Sequence, residues 1–147
     1  GKIMRDNAYS PGSEHPINPG LFNYGIHGVE ILYTLMGGGC QKLSCAYAAE
    51  GEVVTGMWDE GRIGVLRATR AGAHSYGYTV WGEKAVKQSG ISTKYIYREL
   101  CKVIVDMFTT GNTPIDPMVT LEIVAFMDAA IKSNQQGGAW VDIDLSL

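Results

Sequence analysis

The run Glu52-Val53-Val54-Thr55-Gly56-Met57-Trp58-Asp59-Glu60-Gly61-Arg62-Ile63-Gly64-Val65-Leu66-Arg67-Ala68-Thr69 decides the fold class. Two segments rich in β-branched and aromatic residues flank a three-residue acidic turn that ends in glycine, the size and chemistry of a short hairpin loop. An antiparallel pair is therefore expected over 52–58 and 62–69. Alternation inside the pair is unusual, because neither side is polar: Val53, Thr55 and Met57 fall on one face, Val54, Gly56 and Trp58 on the other, and Val65 stands opposite Leu66. One face should pack on helices. The other carries enough apolar surface to call for a second chain or another domain, since a solvated face would hold more charge.

Outward from the hairpin, similar short runs recur over 41–48, 75–81 and 83–88, each bounded by glycine or acidic turns. On the N-terminal side the period changes to that of a helix. Asn18 suits an N-cap and Pro19 the first helical position, and Phe22, Ile26, Val29, Tyr33 and Met36 form one apolar stripe until Gly37-Gly38-Gly39 stops it. A helix over 19–36 is expected. On the C-terminal side, Tyr95, Leu100, Val103, Ile104, Met107 and Phe108 mark an amphipathic helix over 94–110 ended by Gly111. Asp116-Pro117 then opens a helix over 117–135, with Val119, Ile123, Phe126, Met127 and Ala130 facing a core. A last strand over 139–145 should place Val141, Ile143 and Leu145 inward. Residues 1–19 are rich in turn formers and read as a leading loop, leaving 20–147 as a single domain. Helix, meander, two helices and final strand is an α+β order, without the βαβ alternation of a doubly wound nucleotide fold.

Composition narrows the function. The 147 residues are 46% hydrophobic and 18% charged with a formal charge of −3, which fits one globular domain and lacks the basic footprint of a nucleic-acid binder. No apolar run approaches the roughly 18 residues that span a bilayer, and the first residues do not read as a signal peptide. The expectation is no nucleic acid, no membrane and a cytoplasmic location. The start at Gly1-Lys2 rather than Met reads as that of a processed or cut product. Cys40, Cys45 and Cys101 are odd in number and lack CxxC spacing, so they are expected as reduced core residues and not as a disulfide framework or zinc site.

The glycines of 37–39 follow a helix, whereas a dinucleotide-binding loop needs them between a strand and a helix start. No nucleotide site is expected on this chain alone. His15 and His74 read as solvated loop residues. His27 differs: on a helical wheel Asn23, His27, Glu30 and Thr34 share a polar stripe. An imidazole held beside amide and carboxylate partners can shuttle a proton to a substrate hydroxyl. A surface or structural histidine gives the same spacing. His27 and Glu30 could also be half of a metal site, but no third ligand is adjacent in sequence. No Ser-His-Asp or cysteine-nucleophile arrangement is present.

The run Asn23-Tyr24-Gly25-Ile26-His27-Gly28-Val29-Glu30, with Leu32-Tyr33 and Met36-Gly37, resembles the histidine-bearing helix of the glucose–fructose oxidoreductase, inositol dehydrogenase and MocA superfamily. The similarity continues through Val53-Val54-Thr55-Gly56-Met57-Trp58, Arg62-Ile63-Gly64, the run 78–84, and Leu121-Glu122-Ile123-Val124-Ala125-Phe126-Met127 with Ala129-Ala130 and Ser133. The order and spacing of these pieces carry the likeness.

The resemblance implies a C-terminal substrate and oligomerisation domain with a mostly antiparallel open sheet, helices on one face, and a dihydrodipicolinate-reductase-like topology. NAD or NADP would be bound mainly by an N-terminal Rossmann domain that this sequence does not contain. It implies hydride transfer on a sugar, sugar acid or cyclitol, with His27 as acid/base, Asn23 and Tyr24 positioning hydroxyls, and Glu30 orienting the imidazole. Homodimers or larger oligomers would form through the sheet. One position departs: Asn23 stands where the family has an acid, and an amide can hold a hydroxyl but cannot accept its proton. That departure supports an alternative, a non-catalytic binding or assembly domain that kept the sheet.

Overall fold

The structure, a computed structural model, describes residues 1–146. In chain order its elements are β1 (Ile3–Pro11), α1 (Ile26–Met36), β2 (Cys40–Ala48), β3 (Gly51–Trp58), β4 (Ile63–Thr69), β5 (Gly77–Gly82), β6 (Val86–Gly90), α2 (Ile96–Thr110), α3 (Pro117–Gln135) and β7 (Val141–Asp142). The strands form one seven-stranded sheet in the order β6-β5-β1-β4-β3-β2-β7. Every pairing is antiparallel except β1 with β4. The expected α+β architecture, an open and mostly antiparallel sheet, is the one observed, with no Rossmann unit among the described residues.

The hairpin forms as its sequence requires. Val54 pairs with Leu66 and Thr55 with Val65, and the turn puts Glu60 at φ 53° and Gly61 at φ 70°. Val54, Gly56 and Trp58 turn toward the helices and are buried, while Val53, Thr55 and Met57 lie half-buried on the uncovered face. Asp116 caps α3 by accepting from the Met118 N–H at 2.9 Å, and Gly111 ends α2 in the left-handed region.

The leading segment overturns the expected loop. Ile3–Pro11 is a strand in the interior of the sheet, between β5 and β4. Its helix-facing residues are Asp6, Ala8 and Ser10, all buried, with Arg5 and Asn7 exposed on the other side. Small and polar residues occupy the buried positions, so the period-two signal carries no hydrophobicity. Smallness is what the site demands: a Cβ at Gly28 would fall 2.5 Å from Leu66 Cδ1 and closer still to Ser10 Oγ, so α1 rests directly on β1 and β4.

The expected helix over 19–36 is also shorter. Gly20, at φ 58°, opens a 3₁₀ turn over Gly20–Phe22, and α1 begins only at Ile26. Its far end is held by the hairpin: Trp58 Nε1 donates to the Gly37 carbonyl at 2.9 Å and Arg62 Nη1 to the Met36 carbonyl at 2.8 Å. From α3, the buried Glu122 carboxylate accepts the Cys40 N–H at 2.7 Å and the Gly39 N–H at 2.8 Å. Tyr33, Trp58 and Phe126 meet at the centre of the core, with Tyr33 edge-on to both other rings at 5.7 Å. Fully buried side chains such as Leu32, Leu43, Leu66 and Phe126 each contribute roughly 1.5–3 kcal/mol.

Two further expectations change. None of the residues of α2 is buried, so Cys101 is exposed whereas Cys40 and Cys45 are core residues as expected. The last strand shrinks to Val141–Asp142, which pairs with β2 and forms the edge of the sheet.

Candidate functional site

Pinned at its C-terminal end by the hairpin and α3, α1 presents its first turns beside the entry to β5. Gly28 faces the sheet, which puts His27 and Glu30 on the exposed flank, their side chains about half accessible. His27 Nδ1 lies 3.1 Å from Glu30 Oε2, one helical turn on. A carboxylate at Nδ1 selects the tautomer with the proton there and leaves the Nε2 lone pair to accept one from a bound hydroxyl. Tyr24 stands edge-on to the imidazole at 5.4 Å between centroids, and Tyr76 flanks it at 6.3 Å. Partial burial and the Tyr24 hydroxyl both push the Tyr76 phenol above its ordinary range. It therefore stays a neutral hydrogen-bond donor at physiological pH.

These side chains line a cavity of about 780 Å³, closed on its other side by Tyr78, Ile91 and the first turns of α2 with Tyr97 and Leu100. The polar stripe read from the sequence is thus assembled in part. His27, Glu30, Tyr24 and Thr34 all line the cavity, although the Thr34 hydroxyl is spent on the Glu30 carbonyl at 2.7 Å. Asn23 is not with them. It sits before α1, and its Nδ2 donates to the Ser13 carbonyl at 2.9 Å, tying down the loop after β1. Spacing on a single uninterrupted helix placed Asn23 one turn before His27; the break at 23–25 removes that alignment.

Three residues of the site went unnoticed in the sequence: Tyr76, Tyr78 and Tyr97. The signal for the first two was available, because residues two apart on a strand share a face. Tyr97 had no such signal, since its position follows from where α2 begins. His15 is kept in its own loop, where its Nδ1 accepts the Ile17 N–H at 3.3 Å. His74 Nδ1 lies 3.1 Å from the Gly72 carbonyl. Among the described residues, no group of three His, Cys, Asp or Glu side chains is placed to hold a metal ion, and no helix is long and apolar enough to cross a membrane.

Beyond α1, the buried ionisable groups are structural in their surroundings. Burial, followed by the Glu122 charge, pushes the Cys40 thiol up to about 12, and burial with the Glu52 charge does the same to Cys45. Glu52 is itself buried against Arg70, whose Nη2 also meets Glu14 Oε1 at 2.8 Å.

No family model matches this sequence, and no curated protein does. Solved structures do match it. A protein of Sinorhizobium meliloti 1021 assigned as a myo-inositol dehydrogenase superposes with a TM-score of 0.81 at 13% identity, covering 98% of this chain and 58% of its own. Myo-inositol 2-dehydrogenase from Lactobacillus plantarum gives 0.75 at 16% identity, covering 98% and 57%. Scyllo-inositol dehydrogenase from Lactobacillus casei, solved with NAD(H) and scyllo-inositol, gives 0.75 at 14% identity, covering 97% and 57%. The chain spans a little over half the length of these structures. At such identities the likeness is one of fold: the open sheet with helices on one face that accounts for that share of each inositol-dehydrogenase-type oxidoreductase is the fold of this chain.

Proposed function

We propose that this chain is the C-terminal, substrate-side domain of an NAD(P)-dependent oxidoreductase of the glucose–fructose oxidoreductase, inositol dehydrogenase and MocA type, acting on a sugar, sugar acid or cyclitol. One observation carries the reading: the His27–Glu30 pair opens into a tyrosine-lined cavity on the fold that inositol dehydrogenases share. Glu30 holds the imidazole. Tyr24 and Tyr76 set its plane and offer hydroxyls to the ring of a polyol, and His27 Nε2 takes the proton of the reacting hydroxyl. When bound, the nicotinamide supplies the acceptor for the carbinol hydride, so proton and hydride leave the same carbinol in opposite directions.

The residues present fit the reacting end of such a complex and not the pyrophosphate end. The glycines of 37–39 join α1 to β2, and a strand-to-helix phosphate loop is lacking among the described residues. The cofactor, NAD or NADP, would rest mainly on a Rossmann domain. Asn23 serves the site indirectly, by fixing Ser13. The uncovered sheet face, where Val53, Met57, Ile63, Val65 and Trp81 lie half-buried, supports self-association of this domain.

A second reading, a binding or assembly domain without chemistry, is favoured by Asn23, whose amide cannot accept a proton and is bonded to Ser13. Titration of the chain with myo-inositol and glucose, read by NMR at the His27 ring, tests the first reading. Shifts confined to His27, Tyr24 and Tyr76 are expected. A silent His27 overturns the proposal.

A further inference from the structure

A second cavity of about 620 Å³ adjoins the first, and Tyr24, Tyr76, Ile91 and Thr93 are common to the walls of both. Either volume lies within the roughly 300–1,000 Å³ typical of sites that take a whole small molecule. The two differ in chemistry. The first is walled by tyrosine and aliphatic side chains around His27. The second is lined by the hydroxyl-bearing residues Ser13, Thr69, Ser75 and Ser92, with His74 and Arg70 among them, and Ser92 Oγ already accepts the Lys94 N–H at 3.3 Å. Each hydroxyl both donates and accepts, and the His74 ring, with Nδ1 directed at the Gly72 carbonyl, keeps Nε2 as an acceptor.

Charge decides what this second chamber can hold. Arg70 is the one guanidinium among its lining residues, and its side chain is 9% exposed, held between the carboxylates of Glu14 and Glu52. One cation against two carboxylates leaves the cluster with a formal charge of −1. Arg70 Nε has no hydrogen-bond partner in the protein, but the net negative charge of the cluster would repel an incoming carboxylate or phosphate. A neutral ring bearing several hydroxyls meets none of that cost. It can exchange hydrogen bonds with Ser13, Ser75 and Ser92 and lay an apolar face against Tyr24 or Tyr76.

We propose that the second chamber is a saccharide subsite, so that the substrate is a neutral glycoside. Its reacting ring occupies the chamber of His27, and the adjoining sugar ring occupies the chamber of Ser13, Ser75 and Ser92. This rests on the reading of His27 as the reacting centre and adds the size and charge of the substrate to it. Tyr24 and Tyr76, shared by both walls, sit at the junction, where the glycosidic link would pass. Asn23 acquires a purpose here: by holding the Ser13 carbonyl it shapes the second chamber and not the first.

The 147-residue chain is titrated with glucose, three neutral disaccharides (maltose, cellobiose and trehalose), glucuronate and glucose 6-phosphate. Affinity and backbone amide shifts are both recorded. At least one disaccharide is expected to bind about tenfold more tightly than glucose and to move the amides of Ser75, Ser92 and Thr93 together with His27. In Ser75→Trp and in Ser92→Trp, both changes at exposed positions, the disaccharide-to-glucose ratio should fall to near one. Equal binding of glucose and all disaccharides, with shifts confined to the His27 chamber, overturns the subsite and leaves the function proposed for His27 standing. Tighter binding of glucuronate or glucose 6-phosphate at Ser75 and Ser92 overturns the neutrality of the ligand. Absence of any shift with every sugar overturns both readings.

Discussion

His27 and Glu30 face each other across one turn of α1, Nδ1 to Oε2 at 3.1 Å, on the flank of the helix opposite the glycine that rests on the sheet. The carboxylate meets the imidazole at Nδ1, while the proposed proton transfer uses Nε2, so the two residues should fail differently. Joined to the Rossmann domain that the proposal requires, His27→Ala should lower kcat by about 10²–10⁴. Glu30→Gln keeps a hydrogen-bond acceptor at Nδ1 and should cost about tenfold in kcat with KM little changed. Steady-state kinetics with a polyol substrate checks both. Equal losses from the two variants would assign Glu30 a direct part in proton transfer.

Asp6 predicts an unusual pH dependence of stability. Its carboxylate is buried in β1 with neither oxygen bonded to another side chain, and burial, only partly offset by the Asn7 backbone N–H, raises it from the ordinary aspartate range to about 7. Between those values the folded chain retains a proton that the unfolded chain has released. Stability is therefore fully present below about pH 4 as far as this group is concerned, and falls by about 1.4 kcal/mol per pH unit until the folded carboxyl ionises near pH 7. Asp6→Asn should flatten that slope and raise Tm at pH 8. Urea unfolding at pH 5, 6.5 and 8 measures it, and parallel profiles for both proteins would exclude Asp6 as the cause.

What could be read from the sequence divides along physical lines. The hairpin, α3 and its Asp116 cap were legible because their signals are local: alternation, a glycine turn, a capping side chain. The strand Ile3–Pro11 was not, because Asp6, Ala8 and Ser10 are buried by close helix contact and not by being apolar. α2 was legible as a helix, yet its burial was not, since amphipathicity says which side is apolar and not what covers it. At the site, His27 and Glu30 followed from helical spacing within α1. Asn23 did not, because a turn beginning at Gly20 breaks the wheel before it. Tyr97 reached the cavity only through tertiary placement.

The three cysteines separate by environment, which gives a direct chemical check of the core. Cys40 and Cys45 are buried with thiols pushed up to about 12, whereas Cys101 lies exposed on α2. A thiol reagent at pH 8 should modify one cysteine per folded chain and three after denaturation. Mass spectrometry should place the fast label on Cys101. Two fast labels would mean that β2 is not covered as described.

The seat of α1 on the sheet depends on Gly28 having no side chain. A methyl group there would lie 2.5 Å from Leu66 Cδ1 and nearer to Ser10 Oγ, side-chain atoms of two buried strand residues that would have to shift. Gly28→Ala should cost about 1–3 kcal/mol despite the better helix propensity of alanine. Because the helix must lift, the sugar-induced NMR shifts at His27 should weaken together with the stability. A variant more stable than the parent would show that α1 does not rest on β1 through Gly28.

The uncovered sheet face makes the last prediction. Val65 and Thr55 are paired across β4 and β3 at its centre, both half-buried, and Val53, Met57 and Ile63 surround them. A lone domain would leave this patch in water, where sheets with one solvated face carry polar residues instead. Self-association through it would bury the patch on the face opposite the helices, away from His27. Val65→Lys puts a charge at the middle of that contact, where it would be desolvated without a partner. Sizing with light scattering at micromolar concentration should show the parent chain as a dimer or larger and Val65→Lys shifted toward monomer, with its unfolding transition retained. A monomeric parent would remove the self-association proposal while leaving the chemistry proposed at His27 standing, because His27 lies on the helix-covered side.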